Sequence, residues 1–200
     1  MKVLVVSEGK HELSPESDSS PLVELTRRLM NQNADFVREK VSSRKVRIHC
    51  PHGKSAAYEK RALGWIRYAQ KEGYNALVFV IDQDGQKKRK TGIENAQIHT
   101  HFVIPRAMAV AIQSFDAWML ADEGALSEVL GGNVQRQKDP ELIKEPKIEC
   151  EKINNESPRN LSLTEFYFQV AKVIDLDRLR ERCPDGFGPF RVRVENMFTN

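Results

Sequence analysis

Cysteine is scarce in this 200-residue chain: Cys50, Cys150 and Cys183 are an odd number at wide spacing, with no Cys-x-x-Cys pair. That argues against a disulfide framework and fits a reducing compartment. Long apolar runs are absent as well. No stretch approaches the roughly 20 residues that span a bilayer, charged residues make up 30% of the chain, and the mean hydropathy is −0.52, so membrane insertion is excluded. The apolar part of Met1 to Glu8 is too short for a secretory leader and lacks a small-residue cleavage site, so a cytoplasmic location is expected. No charge of one sign dominates. With 31 Lys and Arg against 28 Asp and Glu the net charge is +3, and a balance this even supports nucleic-acid binding only where charges cluster locally. There is no Gly-x-x-x-x-Gly-Lys-Ser/Thr loop, which excludes a built-in P-loop ATPase, and no Gly-x-Ser-x-Gly elbow near Ser14, Ser17, Ser19 and Ser20, which leaves a serine hydrolase unsupported. Repeats and low-complexity segments are missing too.

What is present is an alternation of strand and helix patterns around one core, since 40% hydrophobic content in this length supports one sizeable core rather than two. Val3 to Val6 is a β-branched run of the kind buried on both faces of a sheet. Ser20-Pro21 reads as an N-cap with proline at the first helical position, and Leu22, Leu25 and Leu29 share one face. Arg44 to His49 alternates through Val46 and Ile48 and is expected to be a second strand. Pro51-His52-Gly53 then breaks the chain before a long helix that ends at Lys71, with Ala62, Leu63, Ile66 and Ala69 inward. Ala76 to Ile81 is the clearest buried strand. A basic stretch with a short helix precedes a strand at Ala107 to Ile112, and Ser114 is expected to cap the next helix. The segment 131–160 reads as a polar excursion with short helices, Leu163 to Leu179 as an amphipathic helix, and Pro184 to Phe190 as a break before a last short element. Strands alternating with helices imply an α/β fold with a mostly parallel central sheet flanked by helices and a C-terminal helical extension.

In such sheets functional groups gather at the carboxyl ends of the strands. Glu8 follows the first strand, Asp82 and Asp84 follow the strongest one, and Asp116 lies just past the last. Carboxylates that converge repel one another and raise their own pKa values unless a cation neutralises them. A hard ion such as Mg²⁺ does so with oxygen ligands and retained waters. Alternate residues of an extended segment face one side, so Asp82 and Asp84 are expected to point together, with Gly85 turning the chain away. Gly9 permits close backbone approach to a bound group, and Lys10 can face a phosphate. Lys87-Lys88-Arg89-Lys90 follows the acidic pair directly and is a candidate contact to nucleic-acid phosphates, with Lys54 and Arg106 at the same rim.

Val3 to Glu12 (Val-Leu-Val-Val-Ser-Glu-Gly-Lys-His-Glu) together with Val78 to Gly85 (Val-Phe-Val-Ile-Asp-Gln-Asp-Gly) resembles the Toprim fold of topoisomerases, primases and OLD-type nucleases. The resemblance implies that Glu8, Asp82 and Asp84 bind Mg²⁺, with Mn²⁺ as a substitute, and act catalytically, Glu8 also as general acid or base. Glu12 matches an acid that recurs in OLD-type members. Ser114 to Asp122 and the closing Cys-Pro-x-x-Phe-x-x-Phe-like stretch, Cys183 to Phe190, resemble small stand-alone Toprim-like proteins. There Asp116 replaces the more usual Glu as a further candidate ligand. The resemblance implies a Toprim-like metal-binding domain over residues 1–130 with a helical extension, 131–200, packed on it. Such relatives are often encoded beside ABC/SMC-like ATPases, which implies a separate ATPase partner.

The expected function is Mg²⁺-dependent phosphodiester processing, as a nuclease or nuclease subunit acting on nucleic acid, with DNA favoured. A non-catalytic Toprim-like partner of an ATPase is the alternative. A nucleotide-sugar transferase would use Asp-x-Asp but leaves Glu8-Gly9 unexplained. Among the other side chains, His49, Cys50 and His52, with His99 and His101, match no zinc finger or ribbon spacing. Phe115 and Trp118 are expected in the core, and His11 and His99 are read as incidental rather than as proton shuttles.

Overall fold

The computed structural model describes residues 1–14, 19–30, 32–50 and 57–199. The chain runs through β1 (Lys2–Ser7), α1 (Lys10–Leu13), α2 (Pro21–Leu29), β2 (Asp35–Lys40), a 3₁₀ helix (Arg44–His49), α3 (Ala57–Lys71), β3 (Ala76–Asp82), α4 (Lys87–Gln97) and β4 (Arg106–Ala111). It continues through α5 (Asp116–Met119), α6 (Glu123–Leu130), a 3₁₀ turn (Pro140–Leu142), α7 (Pro146–Asn155), α8 (Leu163–Val173), α9 (Leu176–Arg182) and α10 (Phe187–Glu195). The four strands form one sheet in the order β2-β1-β3-β4, and every neighbouring pair is parallel. The protein is therefore an α/β protein whose parallel sheet is flanked by helices.

Right-handed crossovers that leave β1 in opposite directions must place their helices on opposite faces. The side chains of the strands show this division. Val3, Val5, Val78 and Val80 face a core shared with α2, α6, α8 and α10, whereas Leu4, Val6, Leu77, Phe79 and Ile81 face a second core with α3 and α4. Strands covered on both faces lose the polar half of the β alternation, which is why β1 and β3 read as unbroken apolar runs. Ala107, Ala109 and Ala111 keep one face of β4 thin, and Phe187 and Phe190 of α10 join Trp118 in the same core, with ring centroids 5.3 and 5.4 Å from the indole. Phe115 and Trp118 are fully buried, as expected of core residues. Among the described residues no helix is long and apolar enough to cross a membrane.

Three local expectations are corrected. Arg44–His49 is a 3₁₀ helix started by Ser43, whose hydroxyl accepts the Lys45 N–H at 3.4 Å, and Val46 packs toward Gly64 of α3. The strand in that part of the chain is Asp35–Lys40, an edge strand carrying four charged residues in six. An edge strand needs only one ladder, so its apolar signal is weak. The expected helix Leu163 to Leu179 is two helices, because the Asp175 carboxylate accepts the N–H groups of Asp177 and Arg178 at 2.8 and 3.0 Å and starts α9 anew. Ser114 does not cap α5 through its side chain; its hydroxyl donates to Asp116 Oδ2 at 2.7 Å.

Candidate functional site

The chain leaves β1 toward β2 on one side and returns to β3 on the other, so the strand order reverses at β1 and β3. Loops after two such strands diverge and leave a crevice at their carboxyl ends. Glu8 follows the last residue of β1 and Asp82 ends β3, with Ser7 opposite Val80 in register. The β3–β4 pairing continues past the strands, as Gln83 N–H donates to Ala111 O at 2.9 Å and Asp84 N–H to Gln113 O at 3.0 Å. Asp84, Gly85 and Gln113 then adopt left-handed backbone, with φ of 46°, 69° and 59°. Asp tolerates this region better than most residues, and Gly85 adopts it without a Cβ penalty. The chain turns away at Gly85 as its type implies, but the alternation expected to align Asp82 with Asp84 stops at Asp84.

The acids occupy distinct environments. Asp82 is mostly buried, and its Oδ1 accepts the Phe115 N–H at 2.8 Å. Burial above all, then the charges of Glu12, Asp116 and Asp84, push its pKa well above the ordinary carboxylate range, against the lowering effect of the Phe115 bond. Glu12 is 6% exposed, and its Oε2 accepts the Ser7 hydroxyl and, at 3.1 Å, the Gly9 N–H. Burial outweighs these two bonds and, with Asp116 and Glu8 adding to it, pushes the Glu12 carboxyl up to about 7. Asp116 accepts the Tyr167 hydroxyl at Oδ1 and Ser114 at Oδ2, while its carbonyl faces the Cys150 thiol at 3.6 Å. Burial, with the nearby Cys150 and Asp116, holds the Tyr167 hydroxyl far above its usual pKa, so it stays a neutral donor.

Glu8 and Asp84 share a partner in Arg89, which the sequence places in the phosphate-facing run. Arg89 is 8% exposed and points inward from the first turn of α4, with its guanidinium 4.7 Å over the Tyr58 ring. Its Nη1 lies 2.9 Å from Glu8 Oε2, 2.8 Å from Asp84 Oδ2 and 2.7 Å from the Asp82 carbonyl oxygen. Burial works to lower its pKa, but Glu8 and Asp84 outweigh burial and raise it.

The remaining candidates are placed as follows. Lys87 and Lys88 are exposed on α4 beside Asp84, Lys10 is exposed at the start of α1, and Lys90 donates to the Asp185 carbonyl at 3.3 Å. Lys54 and His52 lie outside the described residues. Arg106 is at the opposite, amino end of β4, where it donates to the carbonyls of Gln97, Phe102 and His99, so it does not join the rim. Gly9 makes room for the Glu12 carboxylate: a Cβ there would lie 2.2 Å from Glu12 Oε1. Asp122, which closes the Ser114 to Asp122 segment, caps α6 and takes Arg178 at 2.7 Å. His11 meets Thr164 Oγ1 at 2.9 Å, and burial together with Lys147 lowers its pKa. Sequence reasoning misses the inward turn of Arg89, the Ser7 and Ser114 hydroxyls, and Tyr167. A lone arginine within a lysine run is a usable signal for the first, because arginine is the residue suited to buried ion pairs. Tyr167, 51 positions from Asp116, leaves none.

Glu8, Asp82, Asp84, Glu12 and Asp116 present the hard oxygen donors that Mg²⁺ takes, and burial, with neighbouring acids adding to it, makes ionisation of Asp82 and Glu12 costly where no cation is bound. In chemistry the donor set fits the ion. In this arrangement no three His, Cys, Asp or Glu side chains among the described residues stand close enough to hold one ion together. Comparison of the chain with protein-family models, curated proteins and solved structures finds no match.

Proposed function

We propose that the chain is a Toprim-like, Mg²⁺-dependent phosphodiester-processing protein, a nuclease or nuclease subunit acting on DNA. The observation that carries this reading is the gathering of five carboxylates at the β1/β3 reversal, with Asp82 and Glu12 driven above their ordinary pKa by burial first and then by neighbouring acids. A fold keeps such an arrangement at a cost in stability, and sites that do chemistry are where that cost is most often found. Glu8, Asp82 and Asp84 would hold the ion, with Glu12 and Asp116 adjoining. Mg²⁺ or Mn²⁺ bound there supplies Lewis-acid polarisation of a phosphate oxygen and a more acidic water.

The chain's own groups supply the rest. A carboxyl near pH 7 gives and takes protons efficiently at neutral pH, which suits Glu12 to general acid–base work. Lys87 and Lys88 sit where a backbone phosphate would approach the acids. The Tyr167 hydroxyl and Ser114 orient Asp116. Since the chain carries no phosphate-binding loop for ATP, an ABC/SMC-like ATPase on a separate chain is part of the proposal.

Incubation of the purified protein with supercoiled plasmid, linear DNA and RNA in Mg²⁺ or Mn²⁺ tests the reading. Wild type is expected to cut DNA, and Asp82→Asn to lose the activity while keeping its circular dichroism. Wild type that cuts nothing, alone or with an ATPase captured from its host, supports the non-catalytic partner instead.

A further inference from the structure

Three oxygens of the proposed metal site already surround a cation. Glu8 Oε2, Asp84 Oδ2 and the Asp82 carbonyl, at 2.9, 2.8 and 2.7 Å, all meet the single nitrogen Nη1 of Arg89. A terminal guanidinium nitrogen carries two hydrogens, fewer than the acceptors around it. An arginine selected for strong pairing presents two nitrogens in a fork to one carboxylate. Here one nitrogen is shared by oxygens from the ends of β1 and β3, and the buried Nε has no hydrogen-bond partner. This is how a point charge sits in a nest of oxygens. It also accounts for the lack of an acid triad around a common point among the described residues, because the oxygens close on the guanidinium.

We propose that Arg89 is a tethered counter-ion: it holds the cation position between Glu8 and Asp84, and a divalent cation enters by displacing its guanidinium. This rests on the metal reading above. The side chain reaches the site on a flexible stem from the first turn of α4, so it can withdraw without movement of the helix, and the Tyr58 ring offers it an aromatic face beside the site. Once displaced, the guanidinium joins Lys87 and Lys88 at the mouth, where it can meet a phosphate. Without a divalent ion Glu8 and Asp84 stay paired with a group the chain carries itself, while the Asp82 and Glu12 carboxyls are left without a cation.

Mn²⁺ titration of the full chain, with the free ion followed by electron paramagnetic resonance, tests the proposal in wild type, Arg89→Gln and Asp82→Asn. Displacement predicts that Arg89→Gln binds Mn²⁺ at least about tenfold more tightly than wild type, a coupling of ordinary size for two ligands of one site, and that Asp82→Asn loses binding. Equal or weaker binding by Arg89→Gln, with Asp82→Asn still defective, overturns the counter-ion role and leaves the metal reading standing. No binding by wild type and Arg89→Gln alike removes both. A second measurement needs no variant: in nitrogen-detected NMR the Arg89 guanidinium should show hindered rotation in the metal-free protein and lose it at saturating Mg²⁺. An Arg89 signal that stays hindered at saturation overturns displacement.

Discussion

Two positions apart, Asp82 and Asp84 differ more than their spacing implies: Asp82 is mostly buried at the end of β3, while the Asp84 side chain is 53% exposed on left-handed backbone. Glu12 is the more unusual acid. In the unfolded chain it ionises near 4.5 and in the fold near 7, so between those values the folded form keeps a proton that the unfolded form has released. Stability therefore falls as pH rises through that window, by about 3 kcal/mol in all, and is unaffected by Glu12 at lower pH. Glu12→Gln removes the titration. Urea unfolding should find the variant and wild type alike at the acid end of the window, with the variant more stable by about that amount above it; a difference that does not change with pH contradicts the account of Glu12. Gly9→Ala puts a methyl against the Glu12 carboxyl, and overpacking of this kind costs about 1–3 kcal/mol, which the same unfolding measurement reads.

At the scale of elements, the buried centre of the sheet was legible and its edges were not. β1 and β3 are apolar on both faces and could be read directly, as could α2, whose Ser20 cap and Pro21 are local signals. β2 carries no legible signal and the 3₁₀ helix reads as a strand, because a charged edge strand is recognisable only by its ladder to β1, while Val46 and Ile48 alternate as strand residues do. The acids were legible for a related reason: they follow strands that were themselves legible. The inward turn of Arg89 is not legible in the basic run, since the oxygens that draw it in come from the ends of β1 and β3. The β4 edge shows another device hidden from the sequence. The Gln97 amide stands in for a missing strand, donating to Arg106 O at 3.1 Å and accepting the Met108 N–H at 2.8 Å. Gln97→Ala leaves both backbone groups without that partner and is expected to cost about 1–3 kcal/mol in chemical denaturation; an unchanged midpoint would show that the edge does not depend on Gln97.

For the molecule as a whole, the C-terminal helices belong to the body of the fold. Phe166, Tyr167, Val170, Phe187 and Phe190 lie in the same core as Val3, Val5 and Val78, and Tyr167 reaches through it to Asp116. A chain cut after residue 130 is expected to lose the dispersed amide spectrum of a folded protein, and a well-dispersed spectrum would refute the shared core. The same continuity lets α8 act on the site, so Tyr167→Phe should lower metal-dependent activity by freeing Asp116 while the protein stays folded. The central claim is that the carboxylates at the β1/β3 reversal hold destabilising charge for a divalent cation to neutralise. Thermal unfolding of wild type and Asp82→Asn at neutral pH, with and without Mg²⁺, tests it most directly. The account predicts that Asp82→Asn melts higher than wild type without the ion, and that Mg²⁺ raises the melting temperature of wild type alone. An equal Mg²⁺ response in both proteins, or a variant that melts lower without the ion, would contradict it.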